Sequence, residues 1–188
     1  MSTTGPLGPL EAGDMTPAQQ EAVATISSGP RGALIGPFVP LLHNPELMTR
    51  VQKIGEHLRF ESELAADVLE TAILTTARHW DQPFEWGYHH PLAVAAGVPA
   101  DLIDDIGAGR VAAHGPAHLR AVQRLGASLL ATGAADPESW ELLGAELTSA
   151  ALTELVVVFG YYTTLALVMN AARTPAEPGM AELPARAS

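Results

Sequence analysis

Residues 62–79 read SELAADVLETAILTTARH. The apolar side chains Leu64, Val68, Leu69, Ala72, Ile73 and Ala77 recur at three- and four-residue steps, the repeat that lines one face of an α-helix. Glu70 interrupts that run beside Leu69, Ala72 and Ile73. A carboxylate in such company is uncommon, because removing its charge from water is costly. Asp81-Gln82-Pro83 then breaks the chain. A second, shorter helix is expected from Phe84 to Ala96, ended by Gly97, with a kink or break at Pro91, where a donor is missing and the ring crowds the preceding turn.

The same signals recur on both sides. Thr16-Pro17 is a cap followed by proline at the first helical position, which opens a helix to about Ser27. Gly36-Pro37 starts a short apolar turn ending near His43. Asn44-Pro45 repeats the cap-plus-proline device for a helix to about Arg59, with Leu47, Val51, Ile54 and Leu58 along one face. Further helices are read at 99–106, at 114–131 ended by Gly133, and from Asp136-Pro137 to about Leu147. A long apolar helix closes near Asn170. No strand-like alternation is found, so the fold class is all-α, a helical bundle. The boundaries that follow are a flexible N-terminal arm over 1–15, one helical domain over 16–172, and a flexible tail over 173–188 that has little to bury.

Composition narrows the function. The chain has 188 residues, 47% of them apolar but only 5% aromatic, so its core is built from Ala, Leu and Val. Ten basic against 21 acidic residues give a formal charge of −11, and the one lysine is Lys53. Nucleic acid and anionic membrane surfaces are therefore not expected partners. There is no cysteine, which removes disulfides, thiolate metal sites and thiol redox chemistry together. Residues 150–169 are apolar enough to attract a membrane reading, but Glu154, three threonines and two tyrosines favour a buried central helix. The amino end has no basic start followed by an apolar stretch, so a cytoplasmic protein is expected.

Glu85 and His89 are four residues apart, so a helix places both on one face. A carboxylate beside an imidazole orients the ring, selects its tautomer and prepares it as a general base. Trp86, Tyr88 and His90 surround the pair and are candidates, with Tyr162 of the last helix, for holding a planar organic substrate. The same spacing also describes an ordinary surface pair. Glu70, Glu85 and His89 are an incomplete metal set, and His114 and His118, also four apart, fit a solvated helix start better than a metal site.

Glu70-Thr-Ala-Ile-Leu-Thr-Thr-Ala-Arg78, then Phe84-Glu-Trp-Gly-Tyr-His89 and Ala95-Ala-Gly-Val98, resemble the carboxymuconolactone decarboxylase and alkylhydroperoxidase D superfamily. The early segment at Asn44-Pro45 and the final run from Phe159 to Asn170 resemble the longer members, so the likeness covers most of 16–172. In the peroxidase branch a glutamate is followed by Cys-x-x-Cys-x-x-x-His. On this chain the histidine falls on His89, the second cysteine on Glu85, the first on Gln82 and the glutamate on Glu70. With both thiols replaced, peroxide reduction through a disulfide is chemically impossible here.

The resemblance implies the thiol-free branch: a helical domain assembling as a homo-oligomer, trimer or hexamer, with its site near subunit contacts. It implies a lyase or isomerase that needs no cofactor or metal and acts on a small carbonyl acid or lactone by decarboxylation or proton transfer. His89 is then the general acid/base, Glu85 its orienting partner, and Glu70 a second proton carrier or substrate ligand. The alternative is a non-catalytic helical domain that binds a small molecule or assembles with a partner.

Overall fold

The computed structural model describes residues 5–186. Among them are nine α-helices and no strand, so the chain is all-helical, as its periodicity predicts. The helices are α1 (Pro17–Ser28), α2 (Phe38–Leu41), α3 (Pro45–Phe60), α4 (Ala66–His79), α5 (Pro83–Ala95), α6 (Ala100–Gly107), α7 (Ala117–Thr132), α8 (Pro137–Glu146) and α9 (Ser149–Ala172). They gather into two compact units, Met1–Ser62 with Thr164–Thr174, and Glu63–Thr163 with Pro175–Ser188.

In the first unit α1 and α2 pack on α3. A capping box opens α1: Gln19 N–H donates to Thr16 Oγ1 while Thr16 N–H donates to Gln19 Oε1. Asn44 Oδ1 accepts from Leu47 N at 3.1 Å and opens α3. The buried side of α3 is Met48, Gln52, Gly55 and Leu58, whereas Leu47 and Ile54 are 47% and 48% exposed. The expected apolar face is therefore rotated, because Gln52 and Gly55 occupy inward positions that counting apolar letters passes over. Within the arm, residues 1–4 lie outside the described ones. The rest forms short 3-10 turns at Gly5–Leu7 and Ala12–Asp14. His43 Nε2 lies 2.8 Å from the Gly8 carbonyl, which holds that part of the arm in place.

The second unit is built around α4, which packs against α5, α6 and α7. From Val68 to Arg78 every residue of α4 is buried. The helix begins four residues later than the periodicity predicts, since Glu63 is held elsewhere. Its backbone N–H donates to Glu154 of α9 at 2.9 Å, and its carboxylate accepts from Thr148 Oγ1 at 2.9 Å. Pro91 neither ends nor breaks α5, which runs continuously past it to Ala95. The start of α7 is likewise delayed, to Ala117. Ahead of it, the buried Asp105 accepts from Ala113 N–H at 3.0 Å, pairs with Arg110 at 2.9 Å and lies 2.9 Å from His114 Nδ1. The Ala113 N–H, together with His114 and Arg110, outweighs burial and holds the Asp105 carboxyl well below the usual carboxylate range.

The C-terminal segment also departs from expectation. In place of a loose tail, residues 175–186 are fastened to this unit, and 187–188 lie outside the described residues. Arg186 donates to the carbonyls of Arg78 (2.9 Å) and His79 (3.1 Å) in the last turn of α4. Arg78 donates in turn to the carbonyls of Gly107 (2.7 Å) and Pro184 (2.6 Å) and pairs with Asp81. Burial works against the charge of Asp81, but Arg78 and Arg186 outweigh it and hold its carboxyl below the usual range. Met180 sits where Gly87 has no side chain. A Cβ at Gly87 would lie 2.7 Å from Met180 Cβ and 3.0 Å from the Ala181 carbonyl.

Gly87→Ala tests this fastening. Alanine is the better helix former by about 1 kcal/mol, so α5 itself gains. Residues 177–186 should nevertheless exchange amide hydrogens and be cleaved by protease faster than in the wild type. Unchanged protection of that segment would show that Met180 does not need the notch.

Candidate active site

Three helices bring the candidate residues together. The turn between α4 and α5 is tight: Asp81 has φ of 48°, and Gln82 N–H donates back to Ala77 O at 2.9 Å. Gln82 is buried, and its Oε1 accepts from Phe84 N (2.6 Å) and Glu85 N (3.2 Å), capping α5 ahead of Pro83 at its first position. The reversal lays α5 along α4, so that a residue from the middle of one meets a residue from the middle of the other.

Those residues are Glu70 and His89. His89 Nδ1 lies 2.8 Å from Glu70 Oε2, across 19 positions of sequence. The other ring nitrogen, Nε2, faces Glu85 Oε2 at 3.5 Å, one helical turn away on α5. Glu70, Glu85 and His89 are 7%, 3% and 2% exposed, so the whole chain of groups is out of water. Against a carboxylate, which only accepts, a ring nitrogen is the donor. Where Glu70 is ionised, the short contact makes Nδ1 the N–H that points at it.

Two aromatic rings close around the imidazole. Tyr88 and Tyr162 stand edge-on to His89, with ring centroids 5.2 and 5.3 Å away. Tyr88 is also stacked on Phe84 at 6.1 Å. Trp86 and His90 are not brought to His89. Trp86 is buried against Gly107, whose missing Cβ would lie 3.1 Å from its Cη2, and its Nε1 has no hydrogen-bond partner. His90 lies 5.8 Å from the Trp86 ring. With Tyr88, Leu92, Glu177 and Met180 it lines a cleft of about 700 Å3 under the C-terminal segment. Of the four residues expected to hold substrate, Tyr88 and Tyr162 thus neighbour the acid–base groups, and Trp86 and His90 do not.

His114 and His118 face separate carboxylates, Asp105 at 2.9 Å and Asp67 at 3.7 Å. Among the described residues no group of three or more His, Asp and Glu side chains is arranged to hold a metal ion. Set against family models, curated proteins and solved structures, the chain matches none. The site must therefore be read from its own geometry. Sequence reasoning paired Glu85 with His89 as the orienting contact; the shorter contact comes from Glu70. It also missed the cap made by Gln82, whose signal was present as a polar residue directly ahead of proline.

Proposed function

We propose that the chain is a cofactor-independent lyase or isomerase that moves a proton on a small carbonyl acid or lactone, as a thiol-free relative of the carboxymuconolactone decarboxylases. The observation that carries this reading is the buried row Glu70–His89–Glu85, with Nδ1 fixed at 2.8 Å and Nε2 facing the second carboxylate at 3.5 Å. An oriented imidazole between two carboxylates is suited to accept and return a proton without help from a bound group. The convergence also weighs against a purely structural role, because three ionisable side chains in a core are costly to bury and a well-packed apolar set would serve stability as well.

In this reading Glu70 orients the ring, and the Nε2–Glu85 edge does the chemistry. A C–H bond next to the substrate carbonyl gives its proton to that edge. The electron pair moves into the carbonyl as an enolate, and the same proton returns at another carbon to give an isomer. If the bond broken is instead that to a carboxylate, carbon dioxide leaves, the same enolate forms, and the proton held at His89 completes the product. Tyr88 and Tyr162 exclude water and hold His89 between them. The test is turnover on a panel of lactones, enones and 3-oxo acids. His89→Ala should lower the rate by roughly 10²–10⁴-fold, the usual contribution of a general acid–base group, and Glu85→Gln by a smaller factor. No turnover on any panel member, or turnover that survives His89→Ala, would remove the reading in favour of a binding or assembly domain.

A homo-oligomer is part of the same proposal. Leu47, Ile54 and Phe60 of α3 are exposed, as are Trp140, Val156 and Val157, which with Leu152 line an apolar groove of about 400 Å3 between α8 and α9. The helix α9 is long and apolar enough to cross a membrane by length and composition, with half of its most apolar 18-residue window buried. Exposed aliphatic surface of this kind commonly marks contacts between chains. Sedimentation should find a trimer or hexamer; a well-folded monomer at micromolar concentration would contradict it.

A further inference from the structure

We infer that the cleft between α5 and the C-terminal segment is a binding site for a small aromatic amine, separate from the Glu70–His89–Glu85 row. The inference does not rest on the acid–base reading and stands or falls without it. The cleft holds about 700 Å3, a size usual for small-molecule sites.

Its outer wall is a defined turn. Glu177-Pro178-Gly179-Met180 reverse the chain, and the Met180 N–H closes the turn by donating to the Glu177 carbonyl at 3.1 Å. Proline at the second position and a glycine with φ of 88° at the third are what a type II turn requires. The Glu177 N–H donates to Met180 Sδ at 3.4 Å and ties the turn from within. The turn is then seated on α5, because Met180 Cβ fills the notch left by Gly87. Farther along, the Pro184 carbonyl and Arg186 fasten the same segment to the end of α4. A cleft with walls ordered in advance loses little freedom when a ligand enters.

The lining sets the class of ligand. From α5 come Tyr88, His90 and Leu92, and from the turn come Glu177, Pro178 and Met180. Two aromatic rings, a proline ring and a thioether are surfaces on which a flat ring packs well. The His90 ring is half-buried and meets Trp86, and among the described residues it makes no hydrogen bond, so its nitrogens are open to an occupant. Glu177 supplies the charge. It is exposed and makes no ion pair among the described residues, and no lysine or arginine lines the cleft. Its carboxylate therefore attracts a cation and repels an anion. Tyr88 divides this cleft from the acid–base row: it lines the one and stands edge-on to His89 in the other, 5.2 Å away. A single aromatic ring with an ammonium group on a short chain matches both parts of the lining.

Three probes separate the ring from the charge. Phenethylammonium carries both, phenylpropionate reverses the charge, and butylammonium lacks the ring. Binding at neutral pH and low salt is read from the methyl NMR signal of Met180, one of five methionines, assigned by its loss in Met180→Leu. Phenethylammonium should shift that signal with a dissociation constant in the millimolar range or tighter, ordinary for so small a molecule. Each of the other two should bind at least about tenfold more weakly. Glu177→Gln, a change at an exposed position, should close most of the gap between phenethylammonium and phenylpropionate, and added salt should narrow it in the wild type. His90→Ala should weaken phenethylammonium. No shift at Met180, equal affinity for phenylpropionate or butylammonium, a gap unchanged in Glu177→Gln, or affinity unchanged in His90→Ala would overturn the inference.

Discussion

A carboxylate and an imidazole held 2.8 Å apart in the core are the contact on which the second unit depends. Neither group tolerates burial alone. Removing one partner of a buried pair typically costs about 3–5 kcal/mol, since the other is left without water or counterpart. Because Glu70 stands on α4 and His89 on α5, satisfying both fixes how the two helices lie side by side. The tight turn at Asp81 and the Gln82 cap serve the same end from the loop, and Met180 packs against α5 at Gly87. Glu85 stands one turn back on the helix that already carries His89.

Much of this could be read from the sequence, though unevenly. Repeats of three and four residues placed the helices, and the cap-plus-proline pairs at Thr16, Asn44 and Asp136 marked three of their starts. The i,i+4 spacing put Glu85 beside His89. Spacing could not show the Glu70 contact, since a separation of 19 residues has meaning only once the α4–α5 reversal is known. What the letters offered instead was a carboxylate among Leu69, Ala72 and Ile73, an anomaly that a buried partner explains. The failures have equally local causes. The inward side of α3 uses Gln52 and Gly55, which no apolar count selects. Pro91 is tolerated inside α5. The C-terminal segment, rich in proline and short of apolar residues, is held by Arg78 and Arg186 through carbonyl groups that leave no trace in a sequence.

The candidate residues divide along the same line. His89 and Glu85 were fixed by helix geometry and Tyr162 by its place in α9, where it meets the imidazole at 5.3 Å. Trp86 and His90 are neighbours of His89 in the chain, but their rings meet each other, Trp86 beside Gly107 and His90 in the cleft lined by Tyr88, Leu92, Glu177 and Met180.

The most direct test of the account is nitrogen NMR of the protein labelled at its histidine rings. His89 should show a protonated Nδ1 whose hydrogen exchanges with water far more slowly than that of an exposed histidine, and Glu70→Ala should abolish that protection while leaving the other histidine signals in place. A His89 ring that exchanges as freely as an exposed one in the wild-type protein would mean that the Glu70–His89 contact does not exist in solution, and the active-site reading would fail with it.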